Sequence, residues 1–215
     1  MTALLPRSRG RIFHIPHGTA YAIENSPAGI ARAVKRMFRW IDMDCHVTKD
    51  GVPVLAHWDK IRKDKFEVTQ AFADKYGRNP KVTEVLAEDL LTLRTTPLSW
   101  SVWGRRRRRV AYMTVEDAMQ QIVTFPRLGL ALEAKGGDAF ADADTWKGIE
   151  AMRLAAGLPK ERFMVMTLKK IDGAHDRLSA AHDAGHDTVL MPERRPVPRD
   201  WEPAITWIRG KWVRA

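Results

Sequence analysis

Cysteine is almost absent from this chain of 215 residues: Cys45 is the only one. That excludes an intrachain disulfide framework and a multi-cysteine metal centre. Long apolar runs are also missing; none approaches the ~20 residues that cross a bilayer, so no transmembrane segment is expected. The opening MTALLPRSRGRIF holds two leucines and several basic residues but no apolar core of useful length. It does not read as a secretory signal, and a cytoplasmic setting is the expectation. Internal repeats and low-complexity linkers are lacking too, which points to one domain over residues 1–215, long enough for a substantial core. Acidic residues fall short of basic ones, 26 Asp and Glu against 36 Lys and Arg, for a net charge of +10. Such an excess attracts anions in general, whether nucleic acid, phospholipid surface, wall polymer or phosphorylated substrate, and does not choose among them. Much of it sits in GRRRRRV (104–110), where Arg105, Arg106, Arg107, Arg108 and Arg109 read first as a solvated loop and second as a patch for an anionic membrane or polymer.

What the chain does have is an alternation of short apolar runs with helical patterns, the mark of βα units and a mainly parallel sheet. RIFHIPHG (11–18) predicts a first strand. SPAGIARAVKRMF (26–38) opens with a Ser-Pro cap and places Ile30, Ala33, Val34, Met37 and Phe38 on one helical face. WIDMDCHV (40–47) and VPVLAHW (52–58) predict the second and third strands, joined by the turn TKDG ending at Gly51. A helix is expected over 81–93 and a clearer one over 113–123, with Thr114 as N-cap and Asp117 three residues on. Further strands are predicted at 128–135, 162–168 and 187–192. Helices are predicted around 144–156 and over 175–185, the latter stopped by Gly185. The tail PAITWIRGKWVRA is apolar enough for a seventh strand, or a seventh and an eighth. This order predicts an α/β fold of the (β/α)8 TIM-barrel-like type, abbreviated at its C-terminal end, with a doubly wound open sheet as the alternative.

Strand side chains alternate, so Asp42 and Asp44 share one face while Ile41, Met43, Cys45 and Val47 share the other. In a barrel the apolar set packs on the helices, with Cys45 as a small buried hydrophobe, and the two carboxylates face the axis. Carboxylates held that close repel unless a cation or a hydrogen-bond network compensates. An acidic sheet edge is the plain structural explanation, and a metal site is the functional one. Glu133, in the apolar run LALEAK, repeats the theme of an acid at a strand end, and Lys135 shares its face, so an internal salt bridge is also open there. Three carboxylates from strand ends suit a hard divalent ion, Mg²⁺ or Ca²⁺. His17 follows the first strand and His57 ends the third, which makes them an acid/base pair at the same end. His46 shares the face of Asp44 only if the strand runs on. His175, His182 and His186, on or beside a late helix, read as surface residues.

These residues resemble the glycerophosphodiester phosphodiesterase family. ENSPAGIARAV is similar to that family's E-N-T stretch. IDMDCHVTKDGVPVLAH is similar to its acid-x-D, T-x-D-G and H segment without a gap, and LEAK is similar to its E-x-K strand. The resemblance covers roughly residues 12–135. It implies a (β/α)8 barrel, His17 and His57 as catalytic histidines, Asp42, Asp44 and Glu133 as metal ligands, and Lys135 as a contact for substrate phosphate or for the carboxylates. Several positions differ: HGT stands where the family usually has His-Arg-Gly, Asp42 where it has Glu, and Trp58 where it has Asp. His14 competes with His17 for the first role.

The implied reaction is metal-dependent hydrolysis of glycerophosphodiesters to an alcohol and glycerol phosphate, with a small-molecule diester as partner and no specific nucleic acid expected. Three carboxylates and one dication leave the site negative, so Lys135 and other basic groups are needed to admit an anionic substrate. One alternative keeps the fold and moves the reaction to a membrane surface, a lysophospholipase D with LSWSVWGRRRRRV (98–110) as an aromatic and cationic anchor. The other is a non-catalytic barrel that binds nucleic acid or an anionic polymer through the basic loop.

Overall fold

The computed structural model describes residues 12–13, 25–61, 66–94, 111–135, 138–168, 173–191, 205–208 and 211–214. His14, His17, Glu24, Trp100, Trp103 and the arginine run 105–109 lie outside them. The chain forms strands β1 (Ile12–Phe13), β2 (Trp40–Val47), β3 (Pro53–Leu55), β4 (Met113–Thr114), β5 (Gly129–Ala134), β6 (Phe163–Leu168), β7 (Thr188–Met191), β8 (Ile205–Ile208) and β9 (Lys211–Arg214). Its helices are α1 (Pro27–Lys35), α2 (Gln70–Tyr76), α3 (Ala87–Thr92), α4 (Val115–Val123), α5 (Ala143–Ala155) and α6 (Ala174–Asp183). A run of parallel pairs joins β1, β2, β5, β6, β7 and β8, and most of the connections between them carry helices. This is the abbreviated form of a (β/α) barrel, with β9 folded back antiparallel on β8.

The periodicity seen in the sequence is realised as two differently packed sheet faces. On one face Ile41, Met43 and Cys45 of β2, Leu130, Leu132 and Ala134 of β5, and Phe163 and Val165 of β6 bury against Ile30 of α1, Met119 and Ile122 of α4, and Trp146 and Ile149 of α5. Each of the larger aliphatic side chains and Phe163 contributes roughly 1.5–3 kcal/mol of hydrophobic stabilisation. The other face carries Ala131, Met164, Met166 and Val189, also buried, together with Asp42, Asp44 and Glu133. Strands covered on both faces are what a parallel barrel-type sheet requires.

Helix caps follow local chemistry. Ser26 Oγ accepts from Gly29 N at 3.2 Å and Pro27 sets the first turn of α1. Thr114 and Asp117 form the expected reciprocal capping box of α4, at 3.0 and 3.3 Å. At Gly129 the backbone approach demands glycine: a Cβ there would lie 2.7 Å from the Trp40 ring and 2.9 Å from the Arg162 carbonyl.

The third strand is not a barrel strand. β3 runs antiparallel to β2, with Cys45 opposite Leu55 and Val47 opposite Pro53, and β4 continues the branch antiparallel to β3. The reason is steric: a turn as short as TKDG reverses the chain, whereas a parallel partner needs a crossover of a dozen residues or more. The helix expected over 81–93 is broken into a 3-10 turn at Val82–Glu84 and the separate α3, because Leu86 is extended. Helix α2, capped by Thr69 and ended by Gly77 at φ 84°, was not anticipated. With Phe66 and Tyr112, these segments enclose a second apolar cluster over Val54 and Ala56.

His186 is not a surface residue. It is 4% exposed, its Nε2 lies 3.1 Å from the Trp146 carbonyl, and its Nδ1 lies 3.5 Å from Glu150. His175 is half-buried and His182 exposed.

Two outcomes are expected. Gly129→Ala should lower stability by about 1–3 kcal/mol in urea titration, because overpacking against Trp40 forces the strands apart. The second concerns His186, which faces Glu150, Arg153 and Lys160. Burial depresses its pKa below 6.5, against the opposing effects of the Trp146 carbonyl and Glu150. The unfolded chain therefore takes up the proton first as pH falls below 6.5, and stability is lost from there down through the folded value. Melting temperature should fall between pH 7 and 5, and His186→Gln should flatten that slope.

Candidate active site

The second and fifth strands bring the acids together by register. Asp44 lies directly opposite Glu133, and Asp42 opposite Ala131, so all three carboxylates project from one face at neighbouring levels. Asp44 is 3% exposed and Glu133 1%. Lys135 follows β5, and its Nζ lies 3.0 Å from Asp44 Oδ1 and 2.8 Å from Glu133 Oε1. Those two buried oxygens meet that ammonium and take no hydrogen bond from other described groups.

Asp44 Oδ2 is equally committed. It accepts from Asn25 Nδ2 at 3.0 Å and stands 2.9 Å from His57 Nδ1. An ionised carboxylate only accepts, so Nδ1 carries the proton. Burial opposes ionisation of Asp44, but the His57 hydrogen bond, the Lys135 charge and Asn25 outweigh it and hold the carboxyl below its ordinary value. Glu133 goes the other way, pushed up to about 7 by burial and then by the charges of Asp42 and Asp44, with Lys135 opposing. Burial would discharge Lys135, yet its two carboxylate partners raise its pKa and keep it protonated.

His57 reaches Asp44 by the antiparallel return rather than by ending a parallel strand. Ala56 N donates to the Asp44 carbonyl at 2.9 Å, which brings the next residue level with the carboxylate. The turn that sends the chain back is braced by its own side chains. Thr48 Oγ1 donates to Asp50 Oδ1 at 2.6 Å, and the same oxygen accepts from Ala87 N at 2.9 Å, tying the turn to the start of α3. Trp58 packs edge-on to the His57 ring, 4.7 Å between centroids.

Two contributors escaped sequence reading. Asn25 sits in the left-handed region at φ 54°, is 7% exposed, and its Oδ1 accepts from Asp44 N at 2.9 Å while its Nδ2 donates to the carboxylate. It lies within the ENSPAG stretch, but nothing in one strand's pattern ties it to another. Arg177 of α6 is buried and donates to the carbonyls of Lys135 and Ala134 at 3.2 and 3.4 Å, holding the end of β5. No sequence signal marked it. His46 does continue the Asp42 and Asp44 face; burial keeps it neutral, its pKa down to about 4, and no described group bonds its Nε2. Cys45 faces the helices as expected, and burial pushes its thiol pKa upward.

Carboxylate oxygens from two strands converge on one positive centre, the lysine ammonium. Among the described residues no group of three or more His, Cys, Asp or Glu side chains is close enough to hold a metal. Also among them, no helix is long and apolar enough to cross a membrane.

A barrel-type α/β sheet thus carries acids, a lysine and a histidine gathered at one end of its central strands. The chain belongs to the glycerophosphoryl diester phosphodiesterase family, whose pattern matches residues 15–185. That match extends beyond the 12–135 segment in which the motifs were read. Similar solved structures share the fold at low identity. A Silicibacter pomeroyi DSS-3 protein described as a glycerophosphoryl diester phosphodiesterase has a TM-score of 0.62 at 15% identity, with 81% of this chain and 66% of that one covered. A glycerophosphodiester phosphodiesterase from Parabacteroides distasonis gives 0.55 at 16%, covering 78% and 58%. An Oleispira antarctica phosphodiesterase in complex with the product sn-glycerol-3-phosphate gives 0.59 at 16%, covering 85% and 65%. The chain thus spans less than two thirds of the length of these structures. No curated protein matches it.

Asn25→Ala is expected to cost about 2–4 kcal/mol, since it removes a hydrogen bond to a buried carboxylate and strands the Asp44 N–H. Asn25→Asp should cost at least as much, by placing a second carboxylate against the first. Urea denaturation of both variants measures this, and unchanged midpoints would refute the role given to Asn25.

Proposed function

We propose that this chain is a divalent-cation-dependent phosphodiester hydrolase that cleaves glycerophosphodiesters to an alcohol and glycerol phosphate. The observation that carries the reading is the double use of Asp44, one oxygen aligning His57 and the other turned to the cationic centre shared with Glu133. Membership of the family supports it, and the glycerol phosphate found in the Oleispira relative is the product such a site would release.

The residues divide the work by position. Asp44 and Glu133, with Asp42 beside them, would hold Mg²⁺ or Ca²⁺. Such an ion, when bound, supplies Lewis-acid stabilisation of charge on the phosphoryl oxygens. His57, its Nδ1 proton held by Asp44, presents Nε2 to take or return a proton at the reacting oxygens, worth ~10²–10⁴ in rate. His17 would be its partner in acid/base exchange. Lys135 offsets the remaining negative charge and contacts the diester phosphate. A lone buried thiol suits a reducing, cytoplasmic setting for this reaction.

Release of choline from glycerophosphocholine, with bis(p-nitrophenyl) phosphate as a generic probe, tests the reading. His57→Ala should lower kcat by ~10²–10⁴ and also cost stability, because it takes a hydrogen bond from the buried Asp44 carboxylate. Asp44→Asn should abolish turnover and weaken Mg²⁺ binding in calorimetric titration, and His17→Ala should match His57→Ala. Full activity of His57→Ala, or no turnover of folded wild type with Mg²⁺ or Ca²⁺, rejects the assignment.

A further inference from the structure

The end of the sheet where its parallel strands begin lies opposite the end that carries Asp44, His57 and Lys135, and it is built from the turns that lead out of α1, α4 and α5. These turns form one tied rim. Gly129 N donates to the Arg39 carbonyl at 2.7 Å, joining the approaches to β2 and β5. Arg162 Nη2 donates to the carbonyls of Ile122 and Phe125 at 2.7 Å each and of Leu128 at 2.6 Å, and the buried Arg153 guanidinium donates to the Leu158 carbonyl, which fixes the turn after α5. Both large apolar side chains that stand exposed among the described residues fall on this rim: Met37 at 81%, just past α1, and Leu154 at 63%, in the last turn of α5. Around them Lys35, Arg36, Arg39 and Arg127 are exposed, and among the described residues no carboxylate pairs with any of the four. The exposed acids at this end, Glu161 and Asp183, are outnumbered.

Met37 is the anomaly. The helical pattern assigned it to the buried face of α1, but the helix stops at Lys35 and Met37 takes φ 58° just beyond the cap. Its N–H donates to the Val34 carbonyl at 2.9 Å and that of Phe38 to Ala33 at 3.0 Å, the paired closing bonds of a helix end at which glycine is the usual residue. A methionine there bears both a left-handed backbone and an apolar side chain left in water, two costs that the fold does nothing to offset.

We propose that this rim is a docking surface for an anionic phospholipid bilayer, with Met37 and Leu154 entering the headgroup boundary while Lys35, Arg36, Arg39 and Arg127 meet lipid phosphates. A nucleic acid would account for the cations but leave the two apolar side chains in water; a bilayer satisfies both. Neither signal holds the chain alone, because so small an apolar contact is weak and exposed cations are screened by salt. Docked in this way, the chain turns its Asp44 end away from the lipid. On the reading of that end as the active site, the diester is drawn from solution and not from the bilayer that holds the protein.

Sedimentation of the full chain with vesicles of phosphatidylcholine, alone and mixed with phosphatidylglycerol, tests this. Wild type should bind the mixed vesicles at low salt, leave them as salt rises, and ignore phosphatidylcholine alone. Arg36→Ala with Arg39→Ala and Arg127→Ala should weaken binding by roughly 10²-fold. Met37→Gly should weaken it about tenfold. The same variant should raise the melting temperature by about 2–4 °C, since glycine relieves the left-handed backbone. Loss of folding cannot mimic that pair of results. No binding of wild type to the mixed vesicles overturns the proposal, while choline release from glycerophosphocholine, and with it the proposed function, is left standing. Binding that survives these substitutions and is lost on Arg105→Gln through Arg109→Gln overturns it as well. Binding indifferent to Met37→Gly overturns the lipid assignment, and if duplex DNA also competes it away the rim is a nucleic-acid surface instead.

Discussion

The buried charge of Asp44 is the constraint around which the rest of the site is arranged. A carboxylate 3% exposed is tolerable only if its oxygens are occupied, and here every partner comes from a different part of the chain. Asn25 precedes α1, His57 follows β3, and Lys135 follows β5. Compensating one charge therefore pins three separate connections to the centre of the sheet. It also sets the histidine tautomer, so the stabilising network and the proposed chemistry are one set of contacts.

The local fold around β2 serves that arrangement. The first two residues of β2 pair with β1 as in a parallel barrel, and its last three pair with the antiparallel β3. The change of partner lets the chain turn at Thr48–Val52 and return at once to the level of Asp44. Asp50 secures that turn to α3, and the second apolar cluster covers the branch. The T-x-D-G motif is thus architectural: its side chains brace the turn that returns the chain to His57.

Charge balance explains why the site needs cations as much as acids. Glu133 is raised toward neutrality by burial and by its acidic neighbours, while Asp44 is held ionised by its partners. Two carboxylates with opposed displacements at one cationic centre mark a place where positive charge is in short supply. The excess of basic residues across the chain favours the approach of anions in general.

Much of this was legible in the sequence because it depends on local patterns. The alternation in WIDMDCHV put Asp42 and Asp44 on one face and Cys45 on the other, and the structure keeps that division. Thr114 with Asp117, and Ser26 with Pro27, announced their helices because caps are built from neighbours. The branch at β3 could have been read from its short turn, but the alternation of elements suggested a parallel strand. Asn25, Arg177 and the buried His186 were not legible, since each acts on a partner 19 to 43 residues away. The sequence by itself determined which face each strand residue takes and where helices begin, because alternation and capping act over a few residues. Only the tertiary structure decided that Lys135 sits between Asp44 and Glu133 and that His57 meets Asp44, because strand register and chain reversal, not spacing, set those distances.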